Sequence, residues 1–296
     1  MQQQSADTHE ARNRRRSAPT QSAEINMNQR GVVRHTPAAS TGSMNALLQY
    51  PGLTLAIVMA VSLLLWTVIS MFSSAWFFPS PLATAQAIVK LTLTGELPHA
   101  IFVSYFRILT GWLIGCLLAI PLALVAGRTP IIRAFVEPYI NFFRFVPPIA
   151  FLGIAILWFG IGEGSKIAVI IYTSMFTVFM NTIAGAMAID ETPSRAARSL
   201  GASRRQVLLK VVLPQTVPAI VVGVRIGMGF SFMSVVAAEL IAAQEGVGFL
   251  IYNARLFMET SNAFAGIIAL GLMGLIADRA LQAIARRLFA SHPLPF

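Results

Sequence analysis

Apolar stretches without charged residues recur along this chain after residue 50, and no Asp, Glu, Lys or Arg occurs between Arg34 and Lys90. A helix needs about 20 apolar residues to cross the hydrocarbon core of a bilayer. Only 11% of the residues are charged and 56% are hydrophobic, which leaves a soluble fold too little polar surface. We therefore predict an all-α integral membrane protein with about six transmembrane helices. The predicted spans are residues 53–72, 108–126, 146–161, 167–189, 220–240 and 263–277.

The first 50 residues differ from the rest, because they are polar and contain no apolar run. Such a segment cannot bury enough surface to fold alone, so residues 1–50 are predicted to be a disordered cytoplasmic tail. A cleavable signal peptide needs an apolar stretch close behind its basic start, and none follows here. The cluster Arg12 to Arg16 could contact anionic lipid or nucleic acid, but we favour a solvated tail that helps to set orientation.

The distribution of Lys and Arg predicts the topology, because short cytoplasmic segments carry the excess. With the N-terminus inside, 16 of the 22 basic residues fall on cytoplasmic segments, and Arg144 and Arg225 lie near or within spans. Four lie outside or at the outer edge, namely Lys90, Arg107, Lys166 and Arg255. We therefore predict cytoplasmic termini, a transmembrane domain over residues 51–290 and a short tail over residues 291–296.

The segment from Asp190 to Pro218, within a cytoplasmic loop at 189–218, encodes two short helices joined by a bend. Thr192 is predicted to cap the first helix, and Gly201 to end it in a left-handed conformation. Ser203 is predicted to cap the second helix, which we expect to stop before Pro214. Two linked helices between spans could form a lever that receives force from a partner, although a basic surface loop with capped helices would show the same pattern.

The sequence RAARSLGASRRQVLLKVVLP in this loop resembles the cytoplasmic signature of binding-protein-dependent ABC importer permeases. The family pattern is Glu-Ala-Ala, three residues, Gly, then about nine residues before Ile-x-Leu-Pro. Arg195 stands where the family usually has Glu. The resemblance implies a loop that docks and couples an ATPase, and we assign to it Arg195, Ala196, Ala197, Leu200, Gly201, Ala202, Ser203, Arg204, Leu213 and Pro214.

The likeness extends over about residues 53–289 and is similar to the branch that imports nitrate, taurine, alkanesulfonates and bicarbonate. It implies a type I ABC importer permease-like fold in the bacterial inner membrane. It also implies a homodimer, two ATP-binding cassette subunits that carry ATP and Mg, and an extracytoplasmic substrate-binding protein. The cargo would be a small anionic solute, such as nitrate, a sulfonate or taurine, bicarbonate or an organic carboxylate.

Motifs for other chemistry are missing from the sequence. It has no Gly-x-x-x-x-Gly-Lys-Ser/Thr run to cradle ATP phosphates, so the chain itself is not predicted to be an enzyme or to bind a cofactor. The four histidines are scattered without metal-ligand spacing, and Cys116 is a single cysteine in an apolar stretch. No nucleic-acid partner is predicted.

Ionisable residues inside spans are expensive and merit a functional hypothesis. Arg225 and Glu239 lie on the fifth span about four turns apart, so they cannot pair. For Arg225 we favour snorkelling or a loop carboxylate such as Glu191 over direct contact with an anion. Glu239 is a candidate gate or docking residue. Asn181, Ser231 and Ser234 are candidate pathway residues, although small residues favour close helix packing equally.

Two other classes of protein were weighed against an importer permease. An intramembrane enzyme would need paired catalytic groups within its spans, and the sequence places none there. A secondary transporter or channel without an ATPase partner would predict inverted repeats or carboxylates at midplane, and we find neither. The sequence alone does not distinguish among the candidate cargoes.

Overall fold

The computed structural model describes residues 51–289, and the predicted tails at 1–50 and 291–296 fall outside this range. Tertiary contacts divide the chain into two units, Met1–Ile57 and Val58–Phe296. Every contact between side chains reported below lies within the second unit. All regular structure in the described residues is helical, as predicted.

The helices follow one another through short connections. They are α1 Pro51–Phe72, α2 Pro81–Leu93, α3 Glu96–Arg128, α4 Pro130–Phe143, α5 Pro148–Phe159, α6 Glu163–Ala188, α7 Thr192–Ser199, α8 Arg204–Val207, a π-helical turn Leu208–Val212, α9 Leu213–Ala242, α10 Val247–Leu256 and α11 Thr260–Leu288.

Five helical segments in the described part of the chain are long and apolar enough to cross a membrane, and the number rises to six if the bent pair α4 and α5 forms one span. The chain bends by 102° between the two helices of this pair. Helix α5 has 12 residues and is therefore about 18 Å long, too short to cross a hydrocarbon core of about 30 Å. The predicted third span is thus one arm of a bent pair. This arm, α5, begins at Pro148 after Pro147, because proline has no backbone N–H and is tolerated only in the first turn of a helix. The prediction of about six spans is confirmed.

Several predicted boundaries were too short. Helix α3 begins at Glu96, well before the predicted Ile108, and α11 continues to Leu288 beyond the predicted Ala277. The apolar pattern alone marked only the most hydrophobic part of each helix. Both extensions carry a charged residue with a partner elsewhere in the fold, Arg107 in α3 and Asp278 in α11.

Helix α6 packs extensively against both α3 and α9. Glycines allow the backbones to approach closely. A methyl group at Gly115 would overlap Ser174 Oγ, and one at Gly223 would lie 2.8 Å from Asn181 Cβ. This packing of small residues is typical of helices in membranes, where apolar burial from water supplies no driving force between them.

Candidate functional site

Asp190 lies at the start of the loop between α6 and α9, two residues before α7 begins at Thr192. Its Oδ1 accepts hydrogen bonds of 3.1 Å from both the backbone N–H and the hydroxyl of Thr192. The prediction that Thr192 itself is the cap was wrong, because Glu191 occupies the N-cap position without a side-chain cap hydrogen bond and Thr192 is the first helical residue. The backbone hydrogen bond from Thr192 lowers the pKa of Asp190 below its usual value.

Helix α7 ends in a Schellman motif centred on Gly201. Ala202 N donates to Ala197 O at 3.0 Å, and Gly201 N donates to Arg198 O at 2.9 Å. Gly201 has a φ of +84°, a conformation that side chains disfavour, so the prediction of a left-handed glycine is confirmed. Ala197 and Ala202, which the motif brings together, both pack on the apolar cluster beneath the loop.

The second short helix, α8, starts with a capping box. Ser203 Oγ accepts from Gln206 N at 3.3 Å, and Ser203 N donates to Gln206 Oε1 at 2.8 Å. The predicted cap at Ser203 is therefore confirmed, with Gln206 as a partner that the sequence analysis did not name.

The prediction that this helix stops before Pro214 was wrong. The chain continues through the π-helical turn into α9, and Leu213 N donates to Leu208 O across the wider turn. Pro214 falls in the first turn of α9, where a helix tolerates a residue without an N–H. As a result, Arg204–Ala242 forms one helical path of 39 residues that links the loop directly to the fifth span.

One side of the loop packs against α3 and α6, and the tip of the loop is exposed. Val207 and Val212 are buried with Leu124 of α3 and Ala186 of α6, and Leu213 packs against this cluster. Leu200, at the tip next to Gly201, is 89% exposed.

Arginine contacts hold the loop in place. Arg128 at the end of α3 donates to Ser194 Oγ at 3.0 Å and to the carbonyls of Ala186 and Ile189. Arg195 pairs with Glu191 one turn earlier at 2.7 Å, and this hydrogen bond lowers the pKa of Glu191 and raises that of Arg195. Both side chains of the pair are exposed, so it contributes little to stability.

Arg225 does not bind Glu191, in contrast to the prediction. It pairs with Asp278 of α11, with Nε donating to Oδ1 and Nη2 donating to Oδ2 at 2.9 Å. The sequence analysis missed Asp278 because it ended the last span one residue earlier, at Ala277. Gln282 Nε2 also donates to Asp278, so the carboxylate joins two turns of α11 to α9.

The largest charged cluster lies toward the opposite end of α9 from the loop, around Glu239. This carboxylate is 0% exposed and accepts from Ser104 Oγ at 2.8 Å, Arg107 Nη1 at 2.8 Å and Gly248 N at 2.8 Å. Gly246, with a φ of +112°, brings its backbone against the carboxylate, and a methyl group there would collide with it. The cluster thus fixes the connection between α9 and α10.

Arg107 is the centre of this cluster, although the sequence placed it at an outer edge. It is 0% exposed and forms a two-pronged contact with Glu163, with Nε to Oε2 at 2.6 Å and Nη2 to Oε1 at 2.7 Å. It also donates to Glu245 O at 2.7 Å, and Lys166 donates to Glu163 at 2.7 Å. Arg107 and Lys166 are thus buried within the protein, and neither is exposed at the surface. The apolar pattern gave no signal for this burial, because it did not show that α3 begins at Glu96, before Arg107.

The predicted pathway residues lie among the helices of this chain. Ser231 is buried and donates to Gly227 O of its own helix, while Ser234 donates to Thr173 Oγ1 of α6 at 2.7 Å. Asn181 donates to Thr177 O. These contacts fit helix packing, and a pathway role for these residues stays a prediction. No cluster of His, Cys, Asp and Glu suited to a metal ion occurs within residues 51–289.

The long apolar helices define an integral membrane protein. The chain belongs to the family described as the binding-protein-dependent transport system inner membrane component, which matches residues 117–290. It is therefore a multi-pass inner-membrane protein and an ABC importer permease subunit. In such importers, separate ATPase subunits hydrolyse ATP.

The similarity to known proteins covers most of the chain. A probable ABC transporter permease protein of Brucella melitensis is 40% identical over 83% of this chain and 99% of its own length. The taurine transport system permease protein TauC of Escherichia coli is 37% identical over 81% of this chain and 88% of its own length. The nitrate import permease protein NrtB of Leptolyngbya laminosa is 33% identical over 61% of this chain and 65% of its own.

A solved structure shares the fold. The MetNI methionine ABC transporter in an inward-facing conformation matches with a TM-score of 0.55 at 18% identity, covering 65% of this chain and 98% of the other. This likeness supports the predicted type I importer permease-like fold.

Proposed function

We propose that two copies of this chain form the translocation pathway of an importer for a small anionic solute. Two cytoplasmic ATP-binding cassette subunits, which carry ATP and Mg, would dock on the loop Arg195 to Pro214. An extracytoplasmic binding protein would deliver the solute. The observation that carries the proposal is the continuous helical path from Arg204 to Ala242, which joins the docking tip to the span that contains Arg225 and Glu239.

The structure supports a mechanical role for the loop. The tip at Leu200 and Gly201 is exposed, while the base is packed on α3 and α6 and tied down by Arg128. A force applied at the tip would therefore pass into α9 instead of bending the loop. The 39-residue path is about 60 Å long, enough to cross the membrane and reach the charged cluster at Glu239.

The class of cargo rests on the relatives. Their names refer to taurine, aliphatic sulfonates and nitrate, all small anions or zwitterions with an anionic group. We infer that the cargo of this chain belongs to this chemical group, with bicarbonate and organic carboxylates as further candidates. Calorimetry of the binding protein with each of these solutes tests the inference, and exclusive binding of cations or of neutral sugars would contradict it.

Replacement of Gly201 tests the docking role. A Cβ at Gly201 would meet no atom within 4 Å, so Gly201→Val acts only through its φ of +84°. A side chain in this conformation costs about 1–2 kcal/mol, and a β-branched one costs more. Gly201→Asn is the matched control, because asparagine tolerates the left-handed conformation.

The readouts are co-purification of the ATPase and ATP-dependent uptake into proteoliposomes that contain the binding protein. We expect Gly201→Val to lose ATPase or to hydrolyse ATP without uptake, and Gly201→Asn to retain most of both. Wild-type uptake by Gly201→Val would remove the mechanical role of the bend. Uptake that needs no ATPase would favour a secondary transporter instead.

A further inference from the structure

Arg225 and Asp278 form an ion pair between α9 and α11, and their side chains are 38% and 32% exposed in this chain. Arg107 and Glu239 of the charged cluster are both 0% exposed, so the fold covers those two charges completely. The chain thus leaves the Arg225–Asp278 pair partly open, and something outside the chain must face it.

The pair lies at the depth of the hydrocarbon core. Arg225 is the one charged residue in residues 211–238, which form about 42 Å of helix, whereas the core is about 30 Å thick. The packing agrees with this depth, because the neighbouring carbonyl, Val224 O, accepts from Trp112 Nε1 of α3 at 3.0 Å. Trp112 lies about 6 Å inside the uncharged stretch 108–127, which is itself about 30 Å long. A charge at this depth cannot face lipid without a large cost.

Glycines leave open space beside the pair on both helices. Gly229 follows Arg225 by one turn, and Gly271 and Gly274 precede Asp278 by two turns and one turn, so each lies on the same side of its helix as the charge. A Cβ at any of the three glycines would meet no atom within 4 Å. Packing within the chain therefore does not require glycine at these positions, and the pair borders on space that the chain does not fill.

A water-filled pathway accounts for both observations, since it hydrates the pair and uses the space. An anion in such a pathway needs a cation that binds it but also releases it. A guanidinium offers paired N–H donors to an oxyanion, and a carboxylate beside it competes for the same donors. Asp278 already accepts from Nε and Nη2 of Arg225 in this way.

We propose that Arg225 contacts the anionic cargo in the pathway, and that Asp278 is the counter-ion that takes the guanidinium back when the anion leaves. The ligand is a small oxyanion, such as a sulfonate, nitrate or a carboxylate. The proposal rests on the proposed function, because the pathway lies between two copies of this chain.

The first test uses the full-length chain in lipid nanodiscs, which expose both faces of the membrane, and needs neither the ATPase nor the binding protein. Gly229→Cys supplies a thiol one turn from Arg225, in a chain whose native cysteine is removed by Cys116→Ala. Its reaction rates are measured with the anionic sulfonatoethyl and the cationic trimethylammonioethyl methanethiosulfonate. Leu64→Cys is the matched control, because Leu64 is 65% exposed on α1, a helix without charged residues.

We expect Gly229→Cys to react with both reagents and Leu64→Cys with neither, because the reactive thiolate forms only in contact with water. Arg225→Gln should lower the ratio of the anionic to the cationic rate on the order of tenfold, and Asp278→Asn should raise it, since residues one turn apart lie about 6 Å from each other. Excess ethanesulfonate should slow the anionic reagent at Gly229→Cys. Arg225→Gln should abolish this protection, and Arg225→Lys should retain part of it.

A Gly229→Cys that reacts no faster than Leu64→Cys would overturn the proposal and mean that lipid or the second copy covers the pair. Ethanesulfonate protection that persists in Arg225→Gln would also overturn it. If Arg225→Gln does not fold, Asp278→Asn decides the case, and an unchanged ratio of rates in that variant counts against the proposal.

Uptake into proteoliposomes with the ATPase and the binding protein separates this proposal from the function on which it rests. Arg225→Gln should lose most ATP-dependent uptake while it still co-purifies with the ATPase, and normal uptake would reject Arg225 as the contact but keep the importer. Charge-selective labelling in a wild-type chain that shows no ATP-dependent uptake would keep the anion site and reject the importer.

Discussion

The substitution Glu239→Gln removes one charge from the buried cluster with little change in shape. The carboxylate accepts from Ser104, Arg107 and Gly248, and both of its oxygens are used. An amide has only one oxygen, so at least one of these donors would face an NH₂ group and lose its acceptor. Arg107 would also lose its one buried carboxylate partner among the described residues, while the half-exposed Glu163 and Glu245, the latter at 3.8 Å, stay beside it.

The loss in the free energy of unfolding can be bounded from these contacts. Removing one partner of a buried ion pair destabilises by about 3–5 kcal/mol. Glu163 remains bound to Arg107 through two hydrogen bonds, so part of the charge stays balanced. We therefore expect about 3 kcal/mol, the lower end of that range. At about 2–4 °C per kcal/mol for a chain of this size, the melting temperature should fall by about 6–12 °C.

The assay is thermal unfolding of the purified chain in detergent, with Glu96→Gln as the control. Glu96 is exposed and forms no ion pair within residues 51–289, so its substitution should change the melting temperature by no more than about 2 °C. The double variant Arg107→Leu with Glu239→Leu should lose less stability than the two single changes summed, because the partners are removed together. A melting temperature of Glu239→Gln equal to that of the wild type would refute the reasoning and mean that Glu163 and Glu245 together balance the charge of Arg107.

Three further outcomes are expected. Gly246→Ala should destabilise the connection between α9 and α10 by about 2 kcal/mol or more, measured by thermal unfolding, because it combines a φ of +112° with a collision against Glu239; Gly271→Ala, which meets no atom within 4 Å, should not. A cysteine placed at Ser203 should react with an impermeant thiol reagent only in inside-out vesicles, and labelling from outside intact cells would reverse the predicted topology. The purified chain without partners should hydrolyse ATP only at background level, and turnover that persists through repurification would mean that it carries a nucleotide site of its own.

The sequence by itself determined the class of fold and the local structure of the loop. Uninterrupted apolar stretches leave few alternatives to membrane helices, because backbone groups in lipid must satisfy one another. The left-handed Gly201 and the capping Ser203 were also readable, since turn and cap chemistry depends on residues within one or two turns. Even here Thr192 was assigned as the cap although it is the first helical residue, one position after the N-cap Glu191.

Only the tertiary structure decided which charges meet. Arg107 contacts carboxylates from α6 and α9, and Arg225 contacts Asp278 on α11, across separations of more than 50 residues in each case. The hydrophobic pattern records how much of a helix lies in an apolar environment, but not which faces of distant helices are pressed together. The burial of Arg107 depends on that packing. For this reason the sequence predicted the coupling loop, whereas only the fold showed the charged cluster toward the opposite end of α9.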